Sequence, residues 1–239
     1  MKKLFLPVLF VLSMVFAITS CTNYKKKDAD EETSDSTQTD EVSAEEQDVE
    51  ATGDGKYEKK SGMVAYDSEM SGVKTRMKYY FDDYGARECT EMTVEMDMNG
   101  QKKTTNTRMF EKDGYYYVLN MDSKTGSKTK DDGKTQQALI SMDIDELIER
   151  SEADPNVTIT EEGTEDILGK ECRIINVKDN QSNMSGKYWI YDNIPLKMVM
   201  EQPQGEIQVL AVEFEEDAEI PAELFEVPVD FEIKEMNME

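Results

Sequence analysis

The chain has 239 residues, of which 27 are Lys or Arg and 52 are Asp or Glu, so its net charge is −25 at pH 7. This charge disfavours binding to nucleic acids, because contacts with phosphate groups dominate nucleic-acid affinity. The mean hydropathy is −0.68, and the longest apolar run, Leu4 to Ile18, has 15 residues. A transmembrane helix needs roughly 20 apolar residues, so we predict none.

The first 21 residues have the arrangement of a secretory signal. Lys2 and Lys3 precede the apolar run, and a small residue precedes Cys21. The segment "ITSC" resembles the lipobox of bacterial lipoproteins, in which the cysteine is lipidated and becomes the new N-terminus. We therefore predict a lipoprotein signal peptide over residues 1–20 and a lipid anchor on Cys21. The alternative is an ordinary signal peptide followed by an unrelated cysteine.

A strongly acidic segment follows. Residues 28–54 contain twelve Asp or Glu and no Lys or Arg. Such a segment has too little apolar surface to offset the entropy cost of ordering it, so residues 21–55 are predicted to be a disordered tether. Lys27 and the acidic residues after it are similar to signals that send some lipoproteins to the cell surface. We expect an outer-membrane lipoprotein, on the periplasmic side or at the cell surface.

A folded domain is predicted over residues 56–239, because an alternating pattern begins there. In "VKTRMKYYF" and "TEMTVEMDM", apolar residues alternate with basic residues in the first strand and acidic residues in the second. Pairing these strands as a hairpin places Lys74 opposite Glu95 and Met77 opposite Met92. Opposite charges and apolar side chains both match in this register.

The remaining pattern predicts eight to ten strands and one or two helices. Asn99-Gly100 favours a two-residue turn between strands. The segment "ALISMDIDELIER" has Ile140, Ile144, Leu147 and Ile148 at helical spacing. The predicted fold class is therefore mainly β, with a strongly curved antiparallel sheet (a half-barrel) packed against a helix.

Three segments in the second half of the domain resemble one known family. "ILGKEC", "YWIYDNIPL" and "LFEVP" are similar to the LolA/LolB-like half-barrel lipoproteins. The resemblance implies a curved sheet whose concave apolar face is closed by helices and, in some members, holds acyl chains. It implies no catalytic residue.

Motifs for catalysis and metal binding are missing. The chain has no histidine, which excludes Ser-His and Cys-His nucleophiles and histidine metal sites. "DDG" at 131–133 lacks the ligand spacing of a calcium loop. We therefore expect no catalytic residues, no metal and no cofactor. A hydrolase that works through paired carboxylates is the least favoured alternative.

Two cysteines remain after lipidation, Cys89 and Cys172. An exported protein can form a disulfide between them, and the alternative is two separate thiols. Apolar residues on the inward faces of the predicted elements could line a cavity for a ligand. The predicted lining residues are Met77, Tyr79, Met92, Val94, Met96, Ile144, Leu147 and Ile148.

The expected function is non-enzymatic. The sequence favours a membrane-anchored envelope lipoprotein that binds an apolar or lipid-like ligand on the concave face of a half-barrel. The alternative is a structural or protein-interaction scaffold with a filled core, no ligand and other envelope proteins as partners. The same Met, Tyr and Ile residues would line a pocket or fill a core, so an open apolar cavity of roughly 300 to 1,000 Å³ is the feature that separates the two.

Overall fold

A computed structural model describes residues 55–98, 100–131, 156–180, 184–202 and 205–236. Apolar and polar side chains alternate along most of these segments, and the segments form strands of one sheet. The strands are β1 (Gly62–Met70), β2 (Val73–Asp82), β3 (Arg87–Met98), β4 (Gln101–Lys112), β5 (Tyr115–Asn120), β6 (Thr125–Lys130), β7 (Val157–Ile167), β8 (Lys170–Asp179), β9 (Met184–Tyr191), β10 (Ile194–Gln202), β11 (Gly205–Glu216) and β12 (Glu232–Met236).

The sheet is open and has the order β12-β6-β5-β4-β3-β2-β1-β11-β10-β9-β8-β7. Most neighbouring strands are consecutive in the chain and pair antiparallel. The first and last long strands of the domain, β1 and β11, join the two series of hairpins in the middle of the sheet. One neighbour pair is parallel, because β12 returns to the edge of the sheet and runs beside β6. The edges β12 and β7 do not meet, so the sheet is not closed into a barrel.

The predicted fold class is wrong in its helix. The described residues contain two short 3-10 turns, Asp83–Gly85 and Ala222–Phe225, and no α-helix that packs on the sheet. The helix predicted around 140–148 lies outside the described residues. The half-barrel of antiparallel strands against a helix is therefore corrected to an open, almost wholly antiparallel sheet of twelve described strands. Irregular chain covers part of one face, because Pro221 and Pro228 interrupt the segment that carries the covering apolar residues.

The predicted β2–β3 hairpin is confirmed. Lys74 pairs with Glu95 and Met77 pairs with Met92. The turn between the strands has positive φ at three consecutive residues, the last of which is Gly85 at 91°. A Cβ on Gly85 would lie 2.9 Å from the Tyr57 ring, so both the backbone and the close packing favour glycine there.

The two faces of the sheet have separate apolar clusters. The Tyr66 face is the one that carries Val64, Tyr66, Tyr79 and Phe81, all at most 1% exposed. The Cys89 face is the opposite one, where Cys89 packs with other buried residues of the second cluster. Since successive residues of a strand point to opposite faces, β1 contributes to both: Val64 lies on the first face and Met63 on the second.

Residues 217–231 form a C-terminal strap across the Cys89 face. Leu224 and Phe225 are buried against Cys89, Phe110 and Leu119. The strap then leads into β12 at the sheet edge, where Lys124 forms a 2.5 Å ion pair with Asp230. The strap thus covers the face opposite the one that was predicted to lie under a helix.

Candidate functional site

The predicted cavity residues are divided between a filled core and a half-open surface. Met77, Tyr79, Met92 and Val94 share the Tyr66 face through their cross-strand pairing, and Met96 follows at the same strand period. Tyr79 is buried, whereas Met77, Met92, Val94 and Met96 are half-buried. The other three predicted residues, Ile144, Leu147 and Ile148, lie outside the described residues.

Tyr79 is part of a hydrogen-bonded core and does not line a cavity in the described structure. Its hydroxyl lies 2.7 Å from that of Tyr57. The Tyr57 hydroxyl also donates to Glu88 at 3.1 Å, and the Tyr57 ring lies 4.5 Å from the Phe81 ring. Burial is the main cause that raises the pKa of both phenols well above their usual value, so both are neutral.

Residues 55–60 form an N-terminal strap that covers the Tyr66 face around Tyr79 and Phe81. The Lys56 ammonium forms a 2.5 Å ion pair with Glu88 on β3. The backbone carbonyl of Lys56 accepts a hydrogen bond from Asn193 at 3.0 Å. The backbone N–H of Glu58 donates to Asp192 at 2.7 Å. These contacts attach the strap to both series of hairpins. The sequence did not reveal this role, because the strap has no strand period.

An open groove of about 390 Å³ lies at the other side of the Tyr66 face, on strands β4, β5, β6 and β12. Its floor consists mainly of small or branched side chains, with charged side chains from β12 at the rim. The lining residues are Thr107, Val118, Asn120, Thr125, Gly126, Ser127, Glu232 and Lys234. Sequence reasoning missed all of them, because none belongs to a recognisable motif and the pairing of β12 with β6 joins residues more than a hundred positions apart.

A second groove, of about 560 Å³, lies over β1, β2, β3 and β11 and is mostly polar. Arg76 donates to Asp67 at 3.0 Å, and Lys74 lies 3.9 Å from Glu69. These ion pairs neutralise the carboxylates. The pKa of Arg76 is raised, first by its hydrogen bond to Asp67. None of the predicted lining residues that the structure describes, Met77, Tyr79, Met92, Val94 and Met96, borders either of the two grooves.

Cys89 and Cys172 do not form the disulfide considered from the sequence. Both thiols are free and buried. They lie on β3 and β8, which are six positions apart in the strand order, whereas a disulfide needs Cα atoms within about 6 Å. Burial raises the pKa of Cys89 to about 12 and that of Cys172 to about 11, so both are protonated and unreactive at neutral pH.

The described residues show no further site chemistry. They contain no cluster of three or more Cys, Asp or Glu side chains that could hold a metal ion. Nor is any helix among them long and apolar enough to span a membrane.

Comparisons with known proteins give only distant structural similarity. No protein-family model matches the chain, and no curated protein matches it. An uncharacterized conserved protein from Thermus thermophilus is 11% identical over 74% of this chain and 91% of its own, with a TM-score of 0.47. MucB in the MucA/MucB complex of Pseudomonas aeruginosa is 10% identical over 71% of this chain and 56% of its own, with a TM-score of 0.42. The lipoprotein LppX of Mycobacterium tuberculosis is 14% identical over 69% of this chain and 91% of its own, with a TM-score of 0.34. These values are too low to assign the chain to a family.

Proposed function

We propose that this protein is a non-enzymatic lipoprotein of the cell envelope, and that it binds an apolar, lipid-like ligand on the Tyr66 face. In this proposal the lipid on Cys21 anchors the protein in the outer membrane. The acidic segment before the sheet acts as a spacer, with the sheet on the periplasmic side or at the cell surface.

The observation that carries the proposal is the uneven covering of the Tyr66 face. On β1 and β2 its side chains are sealed, with Tyr66 and Tyr79 each 1% exposed. On β3 and β5 the apolar side chains Met92, Val94 and Val118 remain half-buried, and Val118 borders the groove of about 390 Å³. This volume lies within the roughly 300 to 1,000 Å³ of small-molecule sites. An apolar ligand bound here would bury the exposed parts of these side chains, and this burial stabilises the complex.

The chemistry of the chain supports binding rather than catalysis. Without histidine, proton transfer at neutral pH would depend on carboxylates, lysines or tyrosines with shifted pKa values. The strongly shifted tyrosines, Tyr57 and Tyr79, are buried in the core and their pKa values move away from neutrality. In the larger groove, Asp67 and Glu69 are held by cations.

A scaffold without a ligand is the second candidate, and a specific observation favours it. The predicted cavity position around Tyr79 is filled by the N-terminal strap, whose Tyr57 ring occupies the space beside Phe81. In this second candidate the half-buried part of the Tyr66 face is covered as well, so no ligand binds there and the protein interacts with envelope proteins through its outer surface.

Extraction of the purified protein with organic solvent, followed by mass spectrometry, distinguishes these candidates. We expect a bound lipid in the wild type. Val118→Asp should remove most of it, because a carboxylate on the groove floor loses hydration when an apolar ligand covers it. Val212→Asp is the matched control, since Val212 is 47% exposed and lies outside the groove. A wild type that carries no extractable lipid would contradict ligand binding and leave the scaffold.

The lipid anchor and the apolar segment predicted around residues 140–148 are tested separately. Cys21→Ala should release the protein from the membrane fraction, because the acyl chains are its proposed attachment. Leu147→Asp tests the apolar segment predicted around residues 140–148, and we expect reduced lipid content if that segment covers the ligand. A wild-type protein that is recovered without membrane would contradict the anchor.

A further inference from the structure

Two cross-strand rows of side chains run over the Tyr66 face from the middle of the sheet to its edge. Paired residues of neighbouring strands share a face, so each row is read directly from the register. The first row consists of Tyr66, Met77, Met92, Thr107, Asn120, Thr125 and Glu232. The second row consists of Val64, Tyr79, Thr90, Met109, Val118, Ser127 and Lys234.

Both rows change in chemistry in the same direction. They begin with aromatic and aliphatic side chains on β1 and β2. Over the next strands they are mixed, with Met92 and Thr107 in the first row and Thr90, Met109 and Val118 in the second. They then pass to amide and hydroxyl side chains, Asn120 on β5 and Ser127 on β6. They end on β12 with a carboxylate in one row and an ammonium in the other. The face is thus apolar at the centre of the sheet, mixed over β3 to β5, polar on β6 and charged on the edge strand β12.

The two charged residues at the edge are available to a ligand. Neither Glu232 nor Lys234 forms an ion pair within the described residues, and both line the groove. Their neighbours on β12 point to the other face, where Ile233 packs in the second cluster and Glu235 forms a 3.0 Å ion pair with Lys128. Residues two apart on a strand stand about 6.5 Å apart on one face, so the groove presents one negative and one positive charge side by side.

We infer that the ligand of the Tyr66 face is an amphiphile with a zwitterionic head group of the phosphoethanolamine type. This inference rests on the proposed function and adds the class of ligand. Glu232 receives the ammonium of the head group, Lys234 receives its phosphate, and Asn120 and Ser127 lie beneath the polar linkage. The acyl chains follow the two rows inward across β6, β5 and β4 to β3. The four strand spacings from β12 to β3 span about 19 Å; the polar and charged edge of this span takes the head group, and the acyl chains contact Val118, Met109 and Met92.

Direct binding of three lipids with identical acyl chains tests the head-group assignment. The probes are a phosphatidylethanolamine, a phosphatidylglycerol and a diacylglycerol, added to delipidated full chain that carries Cys21→Ala, so that the protein has no acyl chains of its own. We expect the phosphatidylethanolamine to bind tightest. The two charge contacts are partly exposed, so each should change the dissociation constant by about threefold to fivefold.

Two variants are expected to differ in a way that a structural role would not produce. Lys234→Gln should weaken both phosphate-bearing lipids, whereas Glu232→Gln should weaken phosphatidylethanolamine and spare phosphatidylglycerol. Glu235→Gln and Lys128→Gln are the matched controls, because each removes one charge on the opposite face, from β12 and from the adjacent strand β6. Both should leave all three dissociation constants unchanged.

The remaining outcomes separate this inference from the proposed function. Equal binding of the three lipids, or tightest binding of phosphatidylglycerol or diacylglycerol, would overturn the zwitterionic head group and leave an apolar ligand in place. If none of the three lipids binds, the inference and the proposed function are both wrong.

Discussion

Phe81→Ala is expected to lower the free energy of unfolding by about 3 to 5 kcal/mol, the usual range for a buried phenylalanine. The Phe81 side chain has no exposed surface and lies 4.5 Å from the Tyr57 ring and 6.4 Å from the Tyr79 ring. The packing is close, because a Cβ on Gly62 would come within 2.5 Å of Phe81. Since the ring joins the N-terminal strap to the sheet, truncation leaves a cavity at that contact and loosens the strap as well.

Urea denaturation of the variant and the wild type measures this loss. Val212→Ala is a suitable control, because Val212 is 47% exposed and an exposed substitution usually changes stability by no more than about 0.5 kcal/mol. If Phe81→Ala and Val212→Ala unfold at the same midpoint, the expected loss of stability from the Phe81 cavity is contradicted.

The elements that could be predicted from the sequence are those whose contacts are local. The β2–β3 register followed from two patterns at once, because Lys74 and Glu95 match in charge where Met77 and Met92 match in burial. A shift by one residue would have lost both matches. The short helical turn Ala222–Phe225 also has a local signal, since it follows Pro221 and proline favours the start of a helical turn.

The strap and edge contacts could not be predicted, because they join distant parts of the chain. Nothing in residues 55–60 shows that Tyr57 packs on Phe81 and hydrogen-bonds to Tyr79. The pairing of β12 with β6 has no local signal either, although it places Glu232 and Lys234 at the groove. Tyr79 was predicted to line a cavity because the sequence does not show that Tyr57 covers it. Met92 and Val94, which lie on the same face, do remain half-buried.

The described residues contain no α-helix against the sheet, and the helix predicted around residues 140–148 lies outside them. Apolar spacing alone does not show what covers a sheet. Two extended or irregular segments bury the apolar side chains that a helix would otherwise bury. Leu224 and Phe225 do so from a strap that is broken by prolines on both sides. The strap is also fixed by polar contacts, such as the hydrogen bond of Arg108 to the carbonyl of Glu223 at 3.2 Å.

The C-terminal strap protects a thiol, which makes its attachment measurable. Cys89 is 1% exposed and packs with Leu224 and Phe225 beneath the strap. The guanidinium of Arg87 lies 5.0 Å from the centre of the Phe225 ring, which adds a cation–π contact to the apolar packing. Cys172 lies in a different apolar cluster, which contains no residue of the strap, so it serves as an internal reference.

Phe225→Ala is expected to lower the free energy of unfolding by about 3 to 5 kcal/mol and to expose Cys89 to alkylation. Burial holds the pKa of the Cys89 thiol at about 12, so the wild-type thiol is protonated at pH 8. When the strap detaches, the pKa falls toward the ordinary thiol value, the thiolate fraction rises and labelling by iodoacetamide accelerates, more so as the pH increases. Cys172 should stay unlabelled in the same molecule, and Val229→Ala, at a fully exposed strap position, should label like the wild type. Equal labelling of Cys89 and Cys172 in Phe225→Ala would mean that the whole sheet opens, and that the strap is not a separately attached cover.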